Sequence, residues 1–118
     1  MTFPEFWKLY LDAHRKPATR IIHYLATFLG AGATSAALWL GELLLCPLGI
    51  ATAYALAIAS HRFIEHNRPL IHVNALWGAL SDLRMLWLAA TGGLAAEYRR
   101  IGLAPIDVAP AARPVNSR

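Results

Sequence analysis

A single cysteine, Cys46, excludes an intrachain disulfide and a CxxC metal knuckle. Charge is also scarce. Only 15% of residues are Asp, Glu, Lys or Arg, against 57% hydrophobic, which is too apolar for an ordinary soluble domain of this length and points to the membrane class. There is no GxSxG elbow, no glycine-rich phosphate loop and no Walker-type lysine, so serine hydrolysis and nucleotide-driven chemistry have no support. The net charge is only +4, and the basic residues sit at the ends of apolar runs instead of in a patch with aromatics. That argues against a nucleic-acid partner and fits anionic lipid headgroups. Residues 1–20 have no uninterrupted apolar core, being broken by Glu5, Lys8, Asp12, Arg15, Lys16 and Arg20, so no cleavable signal peptide is expected. No internal repeat is present.

What the chain does have is apolar segments punctuated by histidine. Residues 3–14 predict a short amphipathic helix, with Phe3, Phe6, Trp7, Tyr10 and Leu11 at helical spacing and Pro4 suited to the first turn. Such a helix suits either the membrane interface or packing on other helices. Pro17 breaks the chain after His14. Ile21 to Gly41 is free of formal charge over 21 residues, about 31 Å as a helix, which matches a hydrocarbon core. Small residues at its middle, Gly30 to Ala36, allow close approach of another helix. After a turn over residues 42–47, a second apolar helix is predicted from Pro47 to Ile64. Asn67-Arg68-Pro69 ends it, and a third helix is predicted over residues 74–99, weakened at Gly92-Gly93. It is either continuous, with Asp82 facing the bundle interior, or split into two shorter pieces that dip into the membrane and return, which Arg99 and Arg100 favour. The expected fold is an all-α integral-membrane bundle. It comprises an amphipathic N-terminal helix, an antiparallel transmembrane hairpin and a long or broken third helix in one domain over residues 1–102, followed by a flexible Ala/Pro-rich tail over residues 103–118.

The hairpin has a consequence for chemistry. The start of its first helix and the end of its second lie at the same end, so His23 and His61 become neighbours. The break at Pro17 lets His14 fold back to them, which a continuous helix would prevent because nine residues rotate by about 180°. Arg15, Lys16, Arg20, Arg62 and Arg68 fall at that end, so the positive-inside rule makes it cytoplasmic. His61 and Glu65 are four apart and share a helix face, as half of a metal site or an acid/base pair would. Imidazole and carboxylate without thiolate suit Fe(II), Mn(II) or Zn(II). Asp82, Asn67 and Ser60 are candidates to hold the imidazole tautomers, although capping and helix-to-helix bonding account better for Ser60 and Asn67. Asp82 is costly in lipid unless it faces the bundle interior. His66 points about 140° from His61 and reads as a surface residue. The four tryptophans read as interface anchors and packing.

These residues resemble a known family. Phe6-Trp7, Tyr10, His14, Arg20 and His23, then His61, Glu65, Asn67, Arg68 and Pro69, then Ser81-Asp82 and Met85, follow the order and spacing of a small membrane family over roughly residues 3–100. Its yeast member is the endoplasmic-reticulum 2-hydroxy fatty acid dioxygenase of α-oxidation, and its bacterial members were long classed as a domain of unknown function. His72 matches a histidine of the bacterial branch. Ala26 replaces a frequent glycine, and Arg15-Lys16-Pro17 stands where the family often has asparagine. The resemblance implies an Fe(II)-dependent dioxygenase that takes a fatty acyl substrate and O2 in contact with membrane lipid. It would cleave a 2-hydroxy fatty acid to an aldehyde or acid one carbon shorter. It further implies ligands His14, His23 and His61, with Glu65 or His72 completing the set, and supporting roles for Asp82 and Asn67. Three rival readings stand beside it. A di-iron hydroxylase or desaturase generally uses about eight clustered histidines, against five spread ones here. A b-type haem protein would use His23 and His61 as axial ligands. A non-enzymatic membrane protein would present the histidine face to lipid or a partner.

Overall fold

A computed structural model describes residues 1–103. Five α-helices make up the fold: α1 (Phe3–Asp12), α2 (Pro17–Leu40), α3 (Leu45–Ser60), α4 (Ala75–Thr91) and α5 (Leu94–Arg100). A π-helical turn at His61–Glu65 and a short 3-10 turn at Leu70–His72 join α3 to α4. The described residues contain no strand. The expected tail over residues 103–118 lies, apart from Leu103, outside them.

Local chemistry sets most of the boundaries. Thr2 and Glu5 form a reciprocal capping box that starts α1, with Pro4 in the first turn. Pro17 opens α2, so that helix starts four residues before the apolar stretch and includes Arg20. Gly41, at φ 71°, ends it in the left-handed conformation that glycine adopts at no steric cost. The second apolar helix starts at Leu45, earlier than Pro47, and its last turn is π-helical instead of α-helical. The Asn74 side chain accepts from the Trp77 amide at 3.0 Å and caps α4. Gly92, at φ 78°, stops α4, so the third helix is split there.

α2 and α3 form an antiparallel hairpin. Their contact is tight at Gly49, where an added Cβ would overlap the Ala33 side chain. α1, α4 and α5 gather round one end, and the molecule is elongated, 61 × 28 × 28 Å. The buried core lies there: Phe6, Trp7, Tyr10 and Leu11 of α1, Met85 of α4 and Tyr98 of α5. The apolar face of α1 therefore packs on other helices instead of lying free in an interface. Trp7 belongs to this core, whereas Trp39 and Trp87 are largely exposed. The rest of the hairpin displays Leu38, Leu40, Leu43, Leu44 and Leu48 outward. Among the described helices only α2 is long and apolar enough to cross a membrane. α3 has 16 residues, about 24 Å, shorter than a hydrocarbon core.

A polar staple holds α5 to α1. Trp7 Nε1–H donates to Glu97 Oε1 at 2.8 Å, Arg100 donates to both Glu97 oxygens, and the Arg84 guanidinium lies 4.5 Å from the centre of the Trp7 ring. The Arg100 hydrogen bonds, aided by Trp7 and by Arg84, lower the Glu97 carboxyl to about 2. A carboxyl lowered on folding contributes stability above its unfolded value, near 4.5, and that contribution is lost as pH falls toward about 2. Glu97→Gln should therefore lower stability at neutral pH by about 1–2 kcal/mol, discounted for the exposed Arg100. Thermal unfolding in detergent at pH 7 and pH 3 checks this, and the deficit should shrink at the lower pH. Gly49→Ala should destabilise the hairpin by about 1–3 kcal/mol through overpacking, read in the same assay.

Candidate metal centre

The residues that carry the site come from three breaks in helical structure. α1 ends at Asp12, and the bend before Pro17 holds His14. The Leu11 and His14 carbonyls at this bend accept from the Tyr98 hydroxyl, at 3.0 and 2.9 Å. Arg20 Nη1 donates to the same His14 carbonyl at 3.0 Å and to the Arg15 carbonyl at 2.5 Å. Burial pushes the Tyr98 hydroxyl up to about 12, so it stays a proton donor. The bend is thus held by α5 and α2, and His14 is buried with 1% of its surface exposed. His23 lies one and a half turns into α2. His61 opens the π-helical turn, which closes with His66 at φ 57° and an Asn67 amide bond to the His61 carbonyl at 3.0 Å.

The three imidazoles meet edge-to-face, with ring centres 4.3 Å (His14–His23), 4.5 Å (His14–His61) and 5.0 Å (His23–His61) apart. One ring nitrogen from each lies within 4.8 Å of the other two. In every ring the opposite nitrogen, Nδ1, is already engaged by an oxygen. His14 Nδ1–H donates to the Tyr10 carbonyl at 2.5 Å, His23 Nδ1–H to Asp82 Oδ1 at 2.8 Å and His61 Nδ1–H to Asn67 Oδ1 at 2.7 Å. Oxygen acceptors at Nδ1 put the proton there and leave Nε2 as a lone pair. The Nε2 atoms of His14 and His23 are 3.2 Å apart. Burial, with His23 and His61 beside it, pushes the His14 imidazole well below its usual range, so it is neutral at pH 7, the form a metal requires. Three buried histidines so arranged can bind a metal ion, and a donor set of three imidazoles fits a divalent transition metal.

Asp82 on α4 faces the interior beside the histidines, as one sequence reading had it. Its Oδ1 also accepts from the Tyr10 hydroxyl. Burial and the Asp82 charge push that hydroxyl well above the ordinary tyrosine range, which keeps it a donor. Tyr10 therefore serves two ligands at once: its carbonyl holds His14, its hydroxyl steadies the carboxylate that holds His23, and its ring stacks on His14 at 4.0 Å. Asn67 holds His61 and also donates from Nδ2 to the Ala13 carbonyl at 3.1 Å, which links the π turn to the His14 bend. Capping alone does not account for it. Ser60 Oγ only donates back to the Ala57 carbonyl, and His66 is exposed.

Two expected ligands lie apart from the group. Glu65 Oε1 accepts from the Lys16 backbone amide at 2.6 Å, while Lys16 Nζ reaches the Ile64 carbonyl at 2.7 Å. The start of α2 has no side-chain cap of its own, and the unpaired amide there attracts the carboxylate. Glu65 thus clamps the two histidine-bearing turns together without facing the imidazoles. His72 is exposed, because the 3-10 turn directs Leu70 and Ile71, not His72, to the cavity beside the triad. That cavity, about 40 Å³, is lined by the three histidines, Tyr10 and Asp82 together with apolar side chains. It has room for roughly two or three water-sized molecules. The roles of Tyr10, Tyr98 and Arg20 escaped the sequence reading. Tyr10 and Arg20 stand in the family pattern, which marks their positions without saying what they do.

Asn67→Ala should weaken divalent-metal affinity by about ten- to a hundredfold, the usual cost of removing an imidazole's supporting acceptor. His72→Ala should leave it unchanged. Titration of metal-free protein with Co(II), followed by visible absorption, checks both.

Comparison with known proteins adds an independent observation. No curated protein and no solved structure matches the chain significantly. One protein-family model matches residues 1–94, a stretch that contains the three histidines, Asn67 and Asp82. The chain belongs to that family, described as 2-hydroxy-palmitic acid dioxygenase Mpo1-like.

Proposed function

We propose that the protein is an Fe(II)-dependent membrane dioxygenase that shortens 2-hydroxy fatty acids by one carbon. The observation that carries this reading is the convergence of one ring nitrogen from each of three buried imidazoles, each ring fixed through Nδ1 by a separate oxygen. The family description supplies the substrate class and the reaction type. His14, His23 and His61 would hold the ion. It would supply Lewis-acid and redox chemistry toward a 2-hydroxy carboxylate and O2. One 2-hydroxy acid and one O2 then give the acid one carbon shorter, carbon dioxide and water, which balances in atoms and electrons.

The chain's own residues prepare that chemistry. Asp82 and Asn67 keep the Nδ1 protons in place, so the imidazoles do not turn during turnover. Tyr10 orients Asp82. Leu70 and Ile71 line the cavity beside the histidines and limit water there. A cavity of about 40 Å³ favours a bare ion over haem, whose macrocycle needs far more room. The outward leucines of the α2–α3 hairpin support insertion in a lipid bilayer, since an exposed apolar surface of that extent is rare on soluble monomers. Arg15, Lys16, Arg20, Arg62 and Arg68 lie at the histidine end, which favours a cytoplasmic site at a bacterial inner membrane.

The test is elemental analysis of untagged protein in detergent beside a His23→Ala/His61→Ala variant, followed by oxygen uptake with 2-hydroxypalmitate. About one iron per chain, lost in the variant, and a product one carbon shorter are expected. Absence of bound metal after anaerobic Fe(II) reconstitution would overturn the reading.

A further inference from the structure

A second cavity adjoins the histidine cavity. It is a trough of about 280 Å³ between α2, α3 and α4, with Tyr54, Ala57 and Asp82 lining both spaces. From that junction it runs along the hairpin to Ala31 on α2 and Ile50 on α3. Only Asp82, at the triad end, brings a charge to its lining. The Thr27 hydroxyl is used internally, donating to the His23 carbonyl at 2.8 Å. The floor is made where the helices approach closely: a Cβ at Gly30 would lie 3.6 Å from that of Ala53. Further along, Gly49 meets Ala33 and closes the hairpin. The rim side chains Ile50 and Leu83 are about half exposed, 41% and 53%, so the trough opens sideways to the apolar outside of the hairpin.

We infer that this trough binds the hydrocarbon tail of one acyl chain whose polar head lies at the histidine triad. The inference rests on the proposed reaction and adds where its substrate lies. Three features commit it to an acyl chain. The trough is continuous with the polar cavity, so head and tail of one molecule occupy both. Its alanine and glycine floor is shallow and uncharged, which suits a thin flexible chain better than a ring system or a peptide with its hydrogen-bonding groups. It opens to the side, so a chain dissolved in lipid enters without passing through water. His23 and Ala31 are eight residues apart on α2, about 12 Å, so the far end reads the tail and not the head.

The test uses full-length protein in lipid nanodiscs and a 16-carbon 2-hydroxy fatty acid bearing a photoreactive diazirine midway along its chain. Adducts should map to peptides holding residues 26–31 and 50–57 and should be competed by 2-hydroxypalmitate. Ala31→Phe places bulk at an exposed lining position. It should lower kcat/KM for the 16-carbon acid relative to the 8-carbon acid by about tenfold, the factor that burying roughly two methylenes supplies. Ala90→Phe, the same exchange at an exposed position of α4 that lines neither cavity, should leave that ratio unchanged. Adducts confined to the outward leucines of residues 38–48, or an unaltered ratio in Ala31→Phe, would overturn the inference. If the wild type turns over no 2-hydroxy acid but the adducts still map to the trough, the reaction falls and the trough stands. If turnover is seen but the adducts lie elsewhere, the reaction stands and the trough falls.

Discussion

The site depends on the pairing of each Nδ1–H with a fixed oxygen. A neutral imidazole can carry its proton on either nitrogen, and three such rings packed together would otherwise exchange hydrogen bonds among themselves. Here a carbonyl, a carboxylate and an amide oxygen each take one proton. Those acceptors favour the Nδ1–H tautomer and leave the other ring nitrogen toward the shared space. The framework that holds the three acceptors is itself tied together. Tyr10 serves His14 and Asp82, Asn67 serves His61 and the Ala13 carbonyl, and Tyr98 and Arg20 close the bend at His14.

This explains why the buried core is so unevenly placed. A hairpin of 24- and 16-residue helices would be expected to bury its own seam and little else. The core instead gathers α1, α4 and α5 at the end where the histidines lie. Trp7, Tyr10 and Tyr98 each give an aromatic body to that core and a polar tip to a hydrogen bond, so one set of side chains stabilises the fold and positions the ligands. The other end of the hairpin has no such partners, and its leucines face outward. A rigid polar site at one end and an apolar shaft at the other suit a head-and-tail substrate drawn from a bilayer.

Much of the site was legible in the order of the residues. His14, His23 and His61 could be brought together on paper because a hairpin puts the start of one helix beside the end of the next, and Pro17 forces the chain to turn. Asp82 could be placed inward because a carboxylate in an apolar helix is expensive anywhere else. The positions of Glu65 and His72 depend on competition that spacing does not show. Spacing tells which face a side chain shares, but not what competes for it. Glu65 shares a turn with His61, but the unpaired Lys16 amide at the start of α2 takes its carboxylate. His72 follows two residues that fill the cavity wall, so the short 3-10 turn leaves it outside. Asn67 was undervalued because a cap and a ligand support have the same local sequence.

By itself the sequence determined the helical class, the hairpin, the end of the molecule at which imidazole collects and the family to which the chain is similar. Those follow from hydrophobic length, from proline and glycine at breaks, and from residue order, all of which act locally. The tertiary structure alone decided which oxygen holds each imidazole, the exclusion of Glu65 from the triad and the trough that leads away from it. Those depend on how α4 and α5 return to α1 after Gly92, and contacts between residues 70 to 90 positions apart, such as Tyr10 to Asp82 and Tyr98 to Leu11, leave no periodic mark in the chain.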